Sequence, residues 1–229
     1  MDPLVRIPSA TTSVVRVPPG LEGLHRLAYN LWWTWHPKAR ALFGRLDPIA
    51  WGRNKNPIPV LAGPVRWGDF LDDANYMAEY AGVIRDFDQY LANGRDHWFH
   101  QQHASELAGP IAYFCAEYGF HESLGIYSGG LGVLAGDHLK TASDMALPLV
   151  GVGLLYRRGY FRQTIDADGH QEHFYPNYDL SRLPLQRVLG REGRDLTVTI
   201  ELPGRDVRVD VWTAQVGRVP VLLLDTDTP

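Results

Sequence analysis

Sulfur is scarce in this chain of 229 residues: Cys115 is its only cysteine, so no disulfide framework can staple the fold, and a lone thiol fits a reducing compartment. Positive charge is not in excess either. Lys and Arg number 22 against 26 Asp and Glu, a formal net charge of -4, which argues against broad attraction to nucleic acid or anionic membrane. No apolar run reaches the roughly 20 residues that a bilayer crossing needs. The opening stretch, MDPLVRIPSATTSVVRVPPG, lacks a signal-peptide core, so a cytoplasmic protein is expected. A nucleophile elbow (G-x-S-x-G), a Walker loop, a G-x-G-x-x-G fingerprint and any C-x-x-C are absent, as are internal repeats and low-complexity segments. What remains is 45% hydrophobic and 21% charged, the balance of an ordinary globular chain.

Residues 1–20, rich in Pro, Ser, Thr and Val, read as an extended arm. From Leu21 the pattern turns helical, with Leu24, Leu27, Ala28, Leu31, Trp32 and Trp35 at i, i+3, i+4, i+7 spacing and Pro37 as a stop. A second short helix is expected over 39–46, and turns of helix and loop over the proline-rich 47–63. The clearest helix is expected over 69–91, on an apolar stripe of Phe70, Ala74, Met77, Ala81, Ile84, Phe87 and Leu91 closed by Asn93-Gly94. The region 21–108 is therefore mainly helical.

At Gly109-Pro110 the pattern changes. IAYFCA reads as a short buried strand, LPLVGVGLLY as another, and GYFRQTI as a third, with DADG as a hairpin turn. LTVTIEL and VRVDVWTAQV alternate with period 2 around a PGRD turn, and VPVLLLD closes the series. The order strand, helix, strand, then several strands predicts the start of an open α/β sheet with a β-rich insertion over 109–229. A Val- and Leu-rich strand normally leads into more fold, so this chain reads as the front part of something longer.

Between the first two of these strands stands YSGGLGVLAGDHLKTASDM, in which Gly129, Gly130 and Gly132 sit before a helical segment. A helix N-terminus presents unpaired N–H groups and about half a positive charge, and glycines let a ligand reach them. The preceding strand would put this turn at a sheet's carboxyl end, where α/β folds bind ligands. A plain tight turn is the competing reading. Glu117, at the end of IAYFCA, can hold an arginine, a sugar hydroxyl or a water, or simply be solvated. Arg157, Arg158 and Arg162 offer guanidinium groups suited to phosphate, or flank a hairpin in solvent. His170 and His173 have the wrong spacing to share a face of a strand, and no third ligand stands at metal spacing, so no metal site is expected. His121 and His138 read as structural or surface residues. Trp33 points about 100° from Trp32 on a helix, which leaves it either in the core or exposed as a stacking platform.

The run YFCAEYGFHESLGIYSGGLGVLAGDHLKTASDMALPLVGVGLLYRRGYFRQTID closely resembles the N-terminal domain of bacterial α-glucan (glycogen/maltodextrin) phosphorylases. The AEY, SGGLG, SDMALPLVGVGLLY and GYFRQ pieces follow in the family's order. LEGLHRLAYNLWWTWHPKARALF and VPVLLLDTDTP resemble its short bacterial form, so the resemblance covers nearly everything from about residue 20. It implies two Rossmann-like domains of the glycosyltransferase-B type with the active site between them, the first incomplete here. The implied reaction removes terminal α-1,4-linked glucose with inorganic phosphate, giving glucose 1-phosphate, assisted by pyridoxal phosphate. The implied partners are an α-glucan or maltodextrin and inorganic phosphate, without nucleic acid or membrane, and a homo-oligomer is compatible. The resemblance further implies that Gly130 and Leu131 offer backbone N–H groups to phosphate or glucose, that Gly129 permits the turn, and that Glu117 is an active-site carboxylate.

Two departures stand out. The connection from AE to GGLG is short, and Val133 replaces the arginine of muscle-type enzymes, which argues against muscle-type allosteric control. The lysines are Lys38, Lys55 and Lys140, and none is placed to carry pyridoxal phosphate; the fragment alone is expected to be inactive. Two other readings stay open: the first domain of a glycogen or starch synthase-like glycosyltransferase, and a non-catalytic module that binds glucan or a partner.

Overall fold

Capping side chains cut the N-terminal half into short helices. The computed structural model describes residues 7–11 and 15–227. Helix α1 (Gly23–Ala28) does not run on to Trp35 as the periodicity predicts; it stops, and a 3-10 turn takes over at Leu31–Trp35. Asn30 causes the break: its Oδ1 accepts the Trp32 N–H at 3.0 Å, which restarts the chain as a capped turn. Helices α2 (Pro37–Leu46), α3 (Pro48–Asn54) and α4 (Pro57–Leu61) each begin with a proline behind a capping His36, Asp47 or Asn56.

The single helix expected over 69–91 is two, α5 (Trp67–Leu71) and α6 (Ala74–Ala92). Asp73 separates them. One of its oxygens caps α6, accepting from Asn75 N (2.9 Å) and Tyr76 N (3.1 Å), while Arg45 donates to the other at 2.8 Å. The buried face of α6 is Tyr76, Tyr80, Val83 and Phe87, so Ala74 and Ala81 of the predicted stripe are exposed. The chain continues past Asn93-Gly94 through another 3-10 turn (Asn93–Asp96) into α7 (Trp98–His103), without a left-handed glycine cap.

The strands are β1 (Ser9–Thr11), β2 (Ile111–Phe114), β3 (Leu149–Leu154), β4 (Arg162–Ile165), β5 (Gln171–Phe174), β6 (Gln186–Val188), β7 (Thr197–Leu202), β8 (Arg205–Val216) and β9 (Val219–Asp225), with α8 (Gly130–Asp144) between β2 and β3. The main sheet runs β1-β6-β8-β9-β3-β2, and β7 also pairs with β8. Strands β2, β3 and β9 are mutually parallel and the remaining pairs antiparallel, so the sheet is mixed and the class is α/β. The β2–α8–β3 unit is the helical crossover that a parallel pair demands. Strands β4 and β5 form the expected hairpin apart from the main sheet. Of the arm expected over 1–20, residues 1–6 and 12–14 lie outside the described residues, and β1 is not free: it pairs with β6. Strand β2, expected to be buried, is one edge of the sheet among the described residues, with Ile111 47% and Phe114 74% exposed.

One continuous apolar core joins the helices to the sheet. Trp33 lies wholly inside it, with edge contacts to Phe43 (6.4 Å), Trp51 (5.8 Å) and His121 (4.8 Å), so it is no exposed platform. Asn30 also reaches the β8–β9 turn: its Nδ2 donates to the Gly217 carbonyl and its Oδ1 accepts the Gly217 N–H, both at 2.9 Å. Beside it the Arg218 guanidinium stacks 3.9 Å from the Tyr90 ring centroid and donates to the Ser143 and Tyr90 carbonyls.

Candidate functional site at the amino end of α8

The residues between β2 and α8 are held in place before any ligand is considered. Tyr118 is fully buried; its hydroxyl donates to the Tyr113 carbonyl at 2.7 Å and accepts the Val152 N–H at 3.2 Å. Its ring stacks on Phe120 at 5.4 Å, and Lys140 of α8 donates to the Phe120 carbonyl at 2.7 Å. Gly119 N–H donates to the Gly132 carbonyl at 2.7 Å. The loop lies so close to α8 that a Cβ on Gly136 would sit 2.3 Å from the Gly119 oxygen. The loop out of β2 is thus pressed flat along α8, which delivers Glu117 to the helix's amino end.

Glu117 is spent on the turn itself. Its Oε2 accepts from the Ser128 N–H at 2.8 Å and the Ser128 hydroxyl at 3.0 Å, and its Oε1 accepts from the Gly132 N–H at 2.9 Å. Partial burial would raise its pKa, but the hydrogen bonds from Ser128, Gly132 and Gly129 outweigh that and hold it below the usual carboxylate value. It is therefore ionised at neutral pH and serves as the anion that a helix amino end attracts.

The glycines do not all answer to one need. None of Gly129, Gly130 and Gly132 has positive φ, so the turn does not require them for handedness. Gly132 is needed for packing, because a Cβ there would lie 2.5 Å from the Tyr127 Cβ. Around Gly129 and Gly130 nothing lies within 4 Å of an added Cβ. The N–H groups of Gly130 and Leu131, the first two residues of α8, have no partner among the described residues and open to the outside; the Leu131 side chain is 56% exposed. The structure thus brings Glu117, Gly129, Gly130 and Leu131 into one place.

The three arginines are not brought together. Arg157 pairs with the buried Asp225 at 3.0 Å, whereas Arg158, the next residue, lines a cavity beside Glu117. Arg162 lies on β4. His121 packs on Trp33 and accepts from the Ser123 N–H at 3.1 Å, a structural role. His138 packs tilted against Tyr113, ring centroids 4.8 Å apart. His170 shares the β4–β5 turn with Asp166 and Asp168, ligand atoms lying within 4.8 Å of one another. That exposed cluster is explained by the turn, in which Asp166 accepts the Asp168 and His170 N–H groups at 2.9 and 2.8 Å.

The lysines do not fit a pyridoxal phosphate site here. Lys140 is tied to the Phe120 carbonyl and lies 5.8 Å over the Trp35 ring, with burial lowering its pKa. Lys38 lines a groove between α2 and α6, and Lys55 caps α3. None borders the cavity beside Glu117. No helix among the described residues is long and apolar enough to cross a membrane.

The fold and site define a mixed α/β domain whose crossover helix opens its amino end at the carboxyl edge of a parallel strand pair. In sequence, residues 17–124 match a family described as "protein of unknown function (DUF3417)". The chain is 41% identical over 216 residues to the maltodextrin phosphorylase of Thermococcus litoralis, covering 93% of this chain and 26% of that protein. It is 41% identical over 222 residues to the glycogen phosphorylase of Mycobacterium tuberculosis, with the same coverage, and 38% identical over 207 residues to that of Aquifex aeolicus, covering 90% and 29%. Over most of its length the chain is similar to the N-terminal part of glycogen and maltodextrin phosphorylases, and it spans about a quarter of the length of the curated relatives it matches.

Proposed function

We propose that this chain supplies the N-terminal part of an α-1,4-glucan phosphorylase, an enzyme that cleaves terminal glucose from a glucan with inorganic phosphate to give glucose 1-phosphate. In this reading 21–108 is a helical region and 109–229 opens the first Rossmann-like domain of a glycosyltransferase-B-type fold. Pyridoxal phosphate, when bound in the whole enzyme, supplies a phosphate group that relays a proton. Its lysine is not among those of this chain. A cytoplasmic enzyme, with the homo-oligomer left open, completes the reading.

The observation that carries this is the open pair of N–H groups at Gly130 and Leu131, with bare glycine on the approach side. Two such donors aimed at a substrate oxygen that gains negative charge supply a few kcal/mol of stabilisation. Glu117 holds the turn so that no reorganisation is needed as that charge develops. The charge balance also limits what this half of the site does. A helix end carries about +0.5 of charge, the Glu117 carboxylate a full negative one and Arg158 beside it a full positive one, which together do not neutralise a phosphate dianion. It orients sugar and phosphate oxygens, and the remaining positive charge that balances the phosphate comes from elsewhere in the enzyme.

The test is direct. The full-length polypeptide, given maltodextrin and inorganic phosphate, is expected to release glucose 1-phosphate. Absence of that product, or activity with a nucleotide sugar in its place, would sink the reading.

A further inference from the structure

The helical region 21–108 supplies none of the groups at the candidate site, yet it grips the helix that carries them. Its polar and ring contacts to α8, among the described residues, fall in the last turns of that helix and just beyond. The Lys140 ammonium lies 5.8 Å over the Trp35 ring. The Tyr90 hydroxyl, from α6, lies 2.6 Å from the Ser143 hydroxyl and donates to Asp144 Oδ1 at 2.9 Å. From α7, His100 Nε2 lies 2.7 Å from the Ala146 carbonyl, which can only accept, so the histidine donates.

The protons around Tyr90 have one consistent arrangement. Tyr90 gives its proton to Asp144, so Ser143 donates to the Tyr90 oxygen, and the Ser143 oxygen accepts the Arg218 N–H at 2.7 Å. Burial pushes the Tyr90 hydroxyl up from its ordinary value, which keeps it protonated. Ser143 is wholly buried and has no water to turn to if Tyr90 withdraws. The backbone is fixed here as well. Ala146 takes a left-handed φ of 56°, rare for a residue with a Cβ, and the Leu147 N–H donates to the Ala142 carbonyl at 2.9 Å.

The amino half of α8 is held differently. It meets the 117–120 loop through bare glycine: the Gly119 N–H reaches the Gly132 carbonyl, and Gly136 lies against the Gly119 carbonyl, with no side chain on any of the three. Such a contact resists sliding along the helix axis less than interdigitated side chains do. The axial position of α8 is therefore set at its carboxyl end. The helix has 15 residues, about 22 Å at 1.5 Å each, and a rigid element carries a shift at one end to the other.

We infer that the helical region is a clamp on the carboxyl end of α8, with Tyr90 as the positioning residue, and that the clamp sets where the Gly130 and Leu131 N–H groups are aimed. The clamp rests on the contacts above; its effect on catalysis rests on the phosphorylase reading. The test compares the full-length wild type with Tyr90→Phe and Arg45→Ala. Phenylalanine keeps the ring under the Arg218 guanidinium and removes only the hydroxyl. Arg45 binds Asp73 and Glu79 inside the helical region and has no polar contact with α8 among the described residues, so its loss controls for general destabilisation.

Two readouts are taken well below the melting temperature. Hydrogen exchange at the amides of 133–137, followed by mass spectrometry, is expected to quicken about tenfold in Tyr90→Phe, the scale of one lost hydrogen bond, and to match wild type in Arg45→Ala. In phosphorolysis, the KM for inorganic phosphate or for maltoheptaose is expected to rise about tenfold in Tyr90→Phe alone, as for one weakened contact. A smaller folded fraction would lower kcat and leave KM where it was, so the KM shift reports the aim of the N–H pair. Unchanged exchange in Tyr90→Phe, the same quickening in Arg45→Ala, or an unchanged KM for both substrates in an active enzyme would overturn the proposal. The two readings fail separately. If the wild type releases no glucose 1-phosphate, the phosphorylase reading falls and exchange alone decides the clamp. If glucose 1-phosphate is released and Tyr90→Phe matches wild type in exchange and KM, the clamp falls and the phosphorylase reading stands.

Discussion

Glu117 and Gly132 are locked together: the carboxylate accepts the Gly132 N–H at 2.9 Å, and a Cβ on Gly132 would come within 3.3 Å of the Glu117 side chain and 2.5 Å of the Tyr127 Cβ. Gly132→Ala is therefore expected to lose about 1–3 kcal/mol of stability, the usual cost of overpacking, in urea denaturation. Gly130→Val makes the opposite test. No protein atom lies within 4 Å of its new Cβ, so melting should barely change while phosphorolysis collapses because the approach to the N–H pair is blocked. Full activity in Gly130→Val would remove the N–H pair from the site.

Acid should unfasten the same turn. The folded pKa of Glu117 lies below its ordinary value of 4.5, so the stability that the carboxylate contributes is complete above 4.5 and fades as pH falls through the folded pKa. Glu117→Gln replaces one acceptor oxygen with a donor and leaves Ser128 or Gly132 without a partner. The melting temperature of wild type is expected to exceed that of Glu117→Gln at neutral pH, with the gap closing below pH 4.5. A gap that does not depend on pH would show that the charge does not matter to the turn.

The join between helices and sheet can be tested at Asn30. Asn30→Ala strands the buried N–H of Gly217, at about 1–3 kcal/mol, takes one of two donors from the Gly217 carbonyl, which keeps Gln215 Nε2 at 3.0 Å, and removes the cap on Trp32. Asn30→Asp keeps the acceptor and loses one donor, so it should fall between wild type and alanine in urea midpoint. Equal midpoints for wild type and Asn30→Ala would dismiss the contact as incidental.

Trp33→Ala is expected to cost about 3–5 kcal/mol, as for other large buried aromatics. Trp33→Phe should cost clearly less, because the indole Nε1 is buried without a partner among the described residues and phenylalanine removes that orphan. Urea denaturation of the two variants gives the comparison.

Where the sequence was legible, periodicity and turn chemistry agreed. The SGGLG helix start, the two hairpins and the strands at 149–154, 205–216 and 219–225 fall where their patterns place them. It misled where one polar atom outweighs a pattern of apolar residues. Asp73 looks like a residue on the polar face of a long helix and instead starts a new one; Asn30 does the same in miniature. Strand β2 carries the composition of a buried strand, yet burial depends on what lies beside it, and in this chain it is the edge. The pairing of β1 with β6 joins residues far apart in sequence through short segments that have no period of their own. For the candidate site, the glycines and Glu117 stood out because of the strand and helix around them. Arg158 did not separate from Arg157, since only the fold shows that Arg157 is already paired with Asp225.

The Asn30–Gly217 contact spans 187 residues. At about 5–20 residues per second of synthesis, a ribosome releases Asn30 roughly 10–40 s before its partner exists. During that interval the turn Leu31–Trp35 lacks strand β8, its neighbour in the sheet, although Trp33 already has Phe43 and Trp51 beside it. Rare codons that lengthened the interval would expose this aromatic surface to chaperones and to other nascent chains, so the yield of soluble protein should depend on translation rate as well as on amino-acid sequence.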